Sequence, residues 1–410
     1  MNNSVYTRTI NSITATDSFK QKMIRLFENP VENKKTNSHV WEGITAAAVS
    51  LAFILTIIAA LFYQQISNIG NTNNINELPM LTINENLGDY GFEGYMAYDI
   101  NELKSGNPWT ENDELKTLPV FKNQSKYSGK GYWTGGLSEK QMIQKVKKTA
   151  SVMGLNIDKI ENIYSKINAE DFYENYVPHL EGIIATCGDI TIEARINGYT
   201  IISFQNEISL PDEYVFTFND ITEKQATKTM NYLLDKYKHL TNFKLPALTL
   251  LGDYTIDEKR LFSYSAYDNS GTLIERMLNY NFSQVYFNAN AYDEESEGKL
   301  QSIWLLSNDI LEKLGDYPII TAQKARSLLL QKKYITSVPE ELPDEKHIAK
   351  VELMYRNDGF DEIYMPYYRF YIELSTMQQD NGLKTYGAFY VPAVDEKYIA
   401  NMPLWDGSIN

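Results

Sequence analysis

The chain has 410 residues, with 38 basic and 53 acidic side chains, a net charge of −15 and 43% hydrophobic residues. That apolar fraction, with 13% aromatics, is ordinary for a globular protein and excludes a disordered composition. The acidic excess argues against nucleic acid as a partner, because a negative surface offers no footprint to a phosphate backbone. The single cysteine, Cys187, excludes an intramolecular disulfide and a lipoprotein anchor near the N-terminus, and reads as a small buried hydrophobe.

Residues 1–15 are polar and loose in composition. The following stretch, TDSFKQKMIRLFENP, predicts a short amphipathic helix capped by Thr16 or Asp17 and stopped at Asn29-Pro30. Phe19, Met23, Ile24 and Phe27 share its apolar face, and Lys20, Lys22 and Arg25 lie off it. Three readings stay open for this tail over residues 1–40: an interfacial helix on the inner leaflet, a docking segment for a cytoplasmic partner, or a weakly ordered tail.

Gly43 to Tyr63 contains no charge, proline or asparagine. At about 1.5 Å per residue it covers roughly 30 Å, the thickness of a bilayer's hydrocarbon core, so it predicts one transmembrane helix. It is longer than the apolar core of a cleavable signal peptide and ends without a small-residue cleavage pattern, which predicts an uncleaved anchor. Six basic and three acidic residues lie in the tail, Glu42 adjoins the span, and the first basic residue after it is Lys104. The positive-inside bias therefore puts the N-terminus in the cytoplasm and the C-terminal part outside, at the cell membrane. That outer part carries 32 basic and 49 acidic residues, a charge repelled by anionic headgroups.

Residues 64–77 are Asn-rich and suit a stalk. Beyond them, helix-like segments followed by alternating strands occur three times, which divides the rest into units 78–220, 221–316 and 317–410. The first helix, LSEKQMIQKVKKTASVMG, opens at Ser138 with Gln141 three residues on and closes at Gly154. DITIEARI then turns at Asn197-Gly198 into YTIISF. The second helix starts after Thr222 and leads to LTLLGDY, KRLFSYSAY, a DNSG turn, QVYFNANAY and LQSIWLLS. The third is TAQKARSLLLQKKY, followed by HIAKVELMYR, YMPYYRFYIEL and LKTYGAFYVPAV. The expected fold class is α+β, with repeated helix-on-antiparallel-sheet units behind one transmembrane helix.

The wording ITAQKARSLLL, VELMYR, PYYRFYIEL and TYGAFYVPAV resembles PepSY-like domains of secreted and membrane-anchored bacterial proteins, over the last ninety residues best. The layout of a short tail with a TxxFKxKM-type helix, one span and a large outer part is similar to single-pass anti-sigma-factor-like proteins and two-component-kinase regulators of Gram-positive bacteria. These resemblances imply extracytoplasmic sensing or inhibition by protein contact. The tail departs from many anti-sigma domains in lacking their zinc-ligand His and Cys spacing.

Motifs for chemistry are sparse. His39, His179, His239 and His347 are scattered and fall in no metal pattern, Gly129-Lys130 is not followed by the Ser or Thr of a phosphate loop, and no G-x-S-x-G elbow occurs. No catalytic residue, metal or cofactor is expected. In YMPYYRFYIEL, Tyr367, Arg369, Tyr371 and Glu373 share one face. Aromatic residues and arginine are enriched at contact sites, so this face is the candidate for binding a peptide, glycan or partner, the alternative being that Arg369 and Glu373 pair with neighbouring strands. The expected function is that of a membrane-anchored sensor or regulator acting by binding a protein or cell-envelope ligand. Its alternatives are an anchored binding or inhibitory module with no signalling through the tail, and a cell-wall hydrolase.

Overall fold

A hydroxyl side chain opens four of the five α-helices found among the described residues. The computed structural model describes residues 78–83, 95–98, 105–127, 133–165, 178–215, 222–254, 260–289, 298–307, 309–336, 338, 341–342, 344–357, 361–374, 382 and 384–407. In chain order, β1 (Tyr95–Tyr98), β2 (Thr117–Asn123), β3 (Ser125–Tyr127) and β4 (Trp133–Gly135) precede α1 (Glu139–Val152). Next come β5 (Lys159–Tyr164), β6 (Leu180–Cys187), β7 (Ile190–Arg195) and β8 (Thr200–Ser209), then α2 (Glu223–Lys236) and the single turn α3 (Lys238–Thr241). β9 (Pro246–Tyr254) and β10 (Arg260–Asp268) lead into α4 (Leu273–Phe282), and β11 (Gln284–Asn288), β12 (Lys299–Leu305) and β13 (Leu311–Pro318) into α5 (Ala322–Leu330). β14 (Ile348–Tyr355), β15 (Ile363–Tyr364), β16 (Pro366–Glu373) and β17 (Lys384–Pro392) complete the order.

Reciprocal capping starts α1, α2 and α4: Ser138, Thr222 and Thr272 each accept from the backbone three residues on, and Gln141, Gln225 and Glu275 reach back. The two hydrogen bonds satisfy amide groups that the first turn leaves without helical partners. Thr272→Ala removes one of them and is expected to cost about 1 kcal/mol, read as a shift in the urea midpoint at unchanged slope.

The β-structure gathers into an eight-stranded antiparallel sheet ordered β5-β6-β7-β8-β12-β11-β10-β9, a four-stranded sheet β1-β17-β16-β14, a three-stranded sheet β13-β2-β15 and the hairpin β3-β4. One face of the large sheet is apolar because alternation puts Ala185, Ile192, Ile202, Ile303 and Phe287 in register across five neighbouring strands. Met142, Val146 and Ala150 of α1, with Ala226, Met230 and Leu233 of α2, close over that face as the first core cluster. The second cluster joins the four-stranded sheet through Phe370 and Phe389 to Ala325, Leu328 and Leu329 of α5 and to Met277 and Phe282 of α4. The last of these helices bridges the two larger sheets, since Asn281 accepts the backbone N–H of Tyr355 in β14 at 3.0 Å.

The expected α+β class of repeated helix-on-sheet units behind a transmembrane helix is overturned. β-structure predominates, and β8 and β12 pair from Lys299↔Ser209 to Leu305↔Thr200, so strands assigned to separate units form one continuous sheet. The sheet near the C-terminus likewise takes β1 from far upstream. Alternation fixes which way a side chain points and leaves the pairing partner open, because every strand offers the same backbone donors and acceptors. Among the described residues no helix is long and apolar enough to cross a membrane. Residues 43–63 and the tail helix with Phe19, Met23, Ile24 and Phe27 lie outside the described residues.

Candidate functional site

The face expected to bind at β16 is interior. Tyr367, Arg369 and Tyr371 are all buried, while Glu373 is half-buried and pairs with Lys384 at 2.8 Å. β16 lies between β14 and β17 and is covered on both faces. On one side Tyr368 stacks edge-on against Trp109 at 5.7 Å; on the other Tyr367 enters the third core cluster with Leu81, Val120 and Tyr390. Alternation separates two faces of a strand and carries no information about what covers the second.

Arg369 stands opposite Glu352 in the β14–β16 ladder, its Nη2 donating to Oε2 at 2.6 Å. Lys350 Nζ lies 2.7 Å from Glu352 Oε1, Ser105 Oγ donates to the same oxygen at 2.5 Å, and Tyr371 Oη donates to Oε2 at 3.3 Å. The Arg369 guanidinium also sits 4.9 Å from the centre of the Tyr371 ring. Burial pushes the Glu352 carboxyl up, but the charges of Arg369 and Lys350 outweigh it and hold the group at about 2. This cluster ties β14, β16 and the 105–107 segment together and presents no open surface.

An open cleft forms instead at the β7–β8 end of the large sheet. Asn197-Gly198 makes the tight turn that the sequence predicts, with Gly198 at φ +90°, and brings Asn197 and Tyr199 to the sheet's end. Trp133 comes from the β3–β4 hairpin, which the backbone pins down: Gly136 N–H donates to the Gln124 carbonyl at 2.7 Å and Leu137 N–H to that of Ile196 at 2.8 Å. Gly136 has φ +67°, and a Cβ there would stand 2.1 Å from the Ile196 carbonyl oxygen, so only glycine permits the approach. The Trp133 N–H donates to Glu181 Oε1 at 3.3 Å.

The cleft has two parts that share Trp133, Asn197 and Tyr199 as lining residues. The inner chamber, about 150 Å³, adds Asn123, Ser125, Phe282, Ser307, Asn357 and Tyr364 among others. The outer groove, about 470 Å³, adds Glu181, Arg195, Ile201 and Trp304. It follows the sheet face opposite the helices, where Ile184, Glu193, Ile201, Trp304 and Tyr286 are successive cross-strand neighbours. Trp304 is 42% exposed, donates from Nε1 to Ser302 Oγ at 2.9 Å and meets Tyr199 edge-on at 6.3 Å. Burial lowers the Arg195 guanidinium from its ordinary value against the opposing pull of Glu181, and the same cation pairs with Glu193.

Beside the chamber, Lys145 Nζ donates to Ser307 Oγ at 2.7 Å, an arrangement that could activate a serine only if the amine were neutral. Lys145 is ion-paired with Asp309. Burial pushes the Asp309 carboxyl up, yet hydrogen bonds from Lys145 and Ser307 win and leave it below its usual range. Ser307 is therefore part of a charged hydrogen-bond net, with no free base to take its proton. Cys187 is buried in the first core cluster, and burial pushes its thiol up, away from reactivity. His347 bonds Asp344 at 2.8 Å, and among the described residues no three or more His, Cys, Asp or Glu side chains converge as a metal site.

In the sequence Asn197-Gly198 reads as a turn and LQSIWLLS as a strand, and neither is marked as a site. One signal was present: Trp304 alternates with Ser302 on the polar face of its strand, where a large aromatic has no core to join. The hairpin that brings Trp133 alongside is a tertiary event with no local signature. No family model matches the chain, and no curated protein matches it.

Proposed function

We propose that the chain is a single-pass protein of the cell membrane, anchored through residues 43–63, whose extracytoplasmic part senses or regulates by binding a cell-envelope ligand or a protein in the cleft at the β7–β8 turn. The observation that carries the reading is the convergence of Trp133, Tyr199 and Trp304 with Asn197, Glu181 and Arg195 around one open groove. Ligand sites combine apolar and aromatic walls with a few placed polar groups in this way. The apolar length of 43–63 and the charge bias around it support the topology. The tail, through Phe19, Met23, Ile24 and Phe27, carries the signal to a cytoplasmic partner, as the resemblance to anti-sigma-factor-like and kinase-regulator proteins implies.

Two experiments test the parts separately. Protease added to whole cells is expected to digest the C-terminal portion; protection of that portion, or solubility without detergent, overturns the topology. Replacing residues 1–40 by an unrelated basic tail is expected to abolish the response while ligand capture persists. A response that survives the swap leaves the anchored binding or inhibitory module as the correct reading. The hydrolase reading is weaker, because Lys145 is engaged with Asp309 and Arg195 pairs with both Glu181 and Glu193.

A further inference from the structure

We propose that the ligand of this cleft is an uncharged saccharide chain, lying along the outer groove with one edge of a sugar ring reaching into the inner chamber. The inference rests on the binding reading above and names its ligand class. Size gives the first argument. A cavity of about 150 Å³ accepts a benzene-sized group, about half of a hexose unit, so the chamber takes one edge of a ring and the 470 Å³ groove has room for the rest of the chain.

The chamber's chemistry separates a sugar from an apolar ring. Among the described residues that line it there is no Asp, Glu, Lys or Arg, and the charges beside it, Lys145 and Asp309, are paired with each other behind Ser307. Three carboxamides, Asn123, Asn197 and Asn357, line it instead; Asn123 already accepts the Ser125 N–H and donates to the Asp361 carbonyl, and Asn357 donates to the Asn281 carbonyl, so Asn197 is the main amide contact for a ligand. An amide side chain offers both donors and an acceptor, and a sugar hydroxyl is both donor and acceptor, so the two match in either orientation. Ser125 supplies an independent sign: the residue is 1% exposed, lines the chamber, and its hydroxyl has no hydrogen-bond partner among the described residues. A buried hydroxyl left so is costly, and a ligand hydroxyl in the chamber would complete it.

The aromatic side chains supply the remaining contact. Sugar rings expose patches of C–H on their faces, and such patches pack on aromatic rings whose faces carry negative charge density. Trp133 and Tyr199 serve chamber and groove together, and Trp304 flanks the groove with much of its ring open. Charge selects among glycans: Glu181 and Glu193 outnumber Arg195, and the whole chain is at −15, so anionic polymers are repelled. A peptide strand would bind at a sheet edge to use free backbone groups, whereas this groove runs over a sheet face whose backbone groups are already paired.

The test uses the full chain in a detergent without a sugar headgroup, titrated with triacetylchitotriose, cellotriose and maltotriose while tryptophan emission is followed. At least one trisaccharide is expected to give a saturable change. Trp304→Ala is expected to weaken it by about tenfold or more, Ser125→Ala by about fivefold to tenfold, and Leu404→Ser, on an exposed side chain that lines neither part of the cleft, not at all. Thermal melts of each variant separate lost binding from lost folding. No response to any of the three, or a response indifferent to Trp304→Ala, overturns the proposal; indifference to Ser125→Ala alone overturns the seating in the chamber. Capture of envelope material by the full chain is measured alongside. If capture persists and depends on Trp304 while every trisaccharide fails, the binding reading stands and the saccharide assignment falls; if both fail, both fall.

Discussion

Glu352→Gln is expected to destabilise the protein by about 3–5 kcal/mol, because it takes the carboxylate away from the buried Arg369 guanidinium and from Lys350. Arginine cannot shed its proton to escape, and Arg369 is only 4% exposed. Arg369→Met is expected to cost less, since Lys350 and Ser105 still reach the Glu352 carboxylate. Urea unfolding of the two variants checks both the size and the order of these effects; at a few degrees per kcal/mol, the melting temperature of the Gln variant falls by roughly 10 °C. A loss below about 1 kcal/mol for Glu352→Gln would show that the cluster contributes no more than a surface pair.

The same group sets an acid limit. Its carboxyl is held at about 2 in the folded protein against an ordinary 4.5. A depressed carboxyl contributes stability that is fully present above 4.5 and is lost as pH falls through 2, because the unfolded chain binds the proton first. The contribution is on the order of 3 kcal/mol. The stability gap between the native chain and Glu352→Gln is therefore expected to narrow as pH falls from about 5 to about 2, while neutral and alkaline conditions leave it constant.

Gly136→Ala is the second large effect, expected at about 3 kcal/mol or more. The new methyl group meets the backbone carbonyl of Ile196, which belongs to the paired β6–β8 region and has no flexible end to swing aside. The residue also sits at φ +67°, which costs an L-side chain a further 1–2 kcal/mol. Relief comes by lifting the β3–β4 hairpin, and Trp133 leaves the cleft with it. Loss of stability together with a change in tryptophan emission and in saccharide response is the expected triple readout. A variant with unchanged stability and emission would mean that the hairpin does not lie against Ile196.

Much of the local structure was legible in the sequence. Ser138 with Gln141 opens α1, Thr222 opens α2, the Asn197-Gly198 turn joins β7 to β8, and alternation in DITIEARI sorts its two faces as observed. One helix escaped it: α4, in TLIERMLNYNF, is only ten residues long and follows directly on a turn; Met277 and Phe282 pack toward β14 while Tyr280 meets Tyr267 of the large sheet.

What the sequence determined by itself lies within reach of a few residues: caps, turns, alternation, an acidic surface and a 21-residue uncharged run. Tertiary structure alone decided that β8 pairs with β12, that β1 joins the sheet near the C-terminus, that the Arg369 face is closed, and that Trp133, Tyr199 and Trp304 surround one cleft. The physical reason is the range of the forces involved. Capping and periodicity act over three or four residues of the same chain segment, whereas strand pairing uses backbone groups that are identical in every strand and is selected by the packing of side chains hundreds of positions apart.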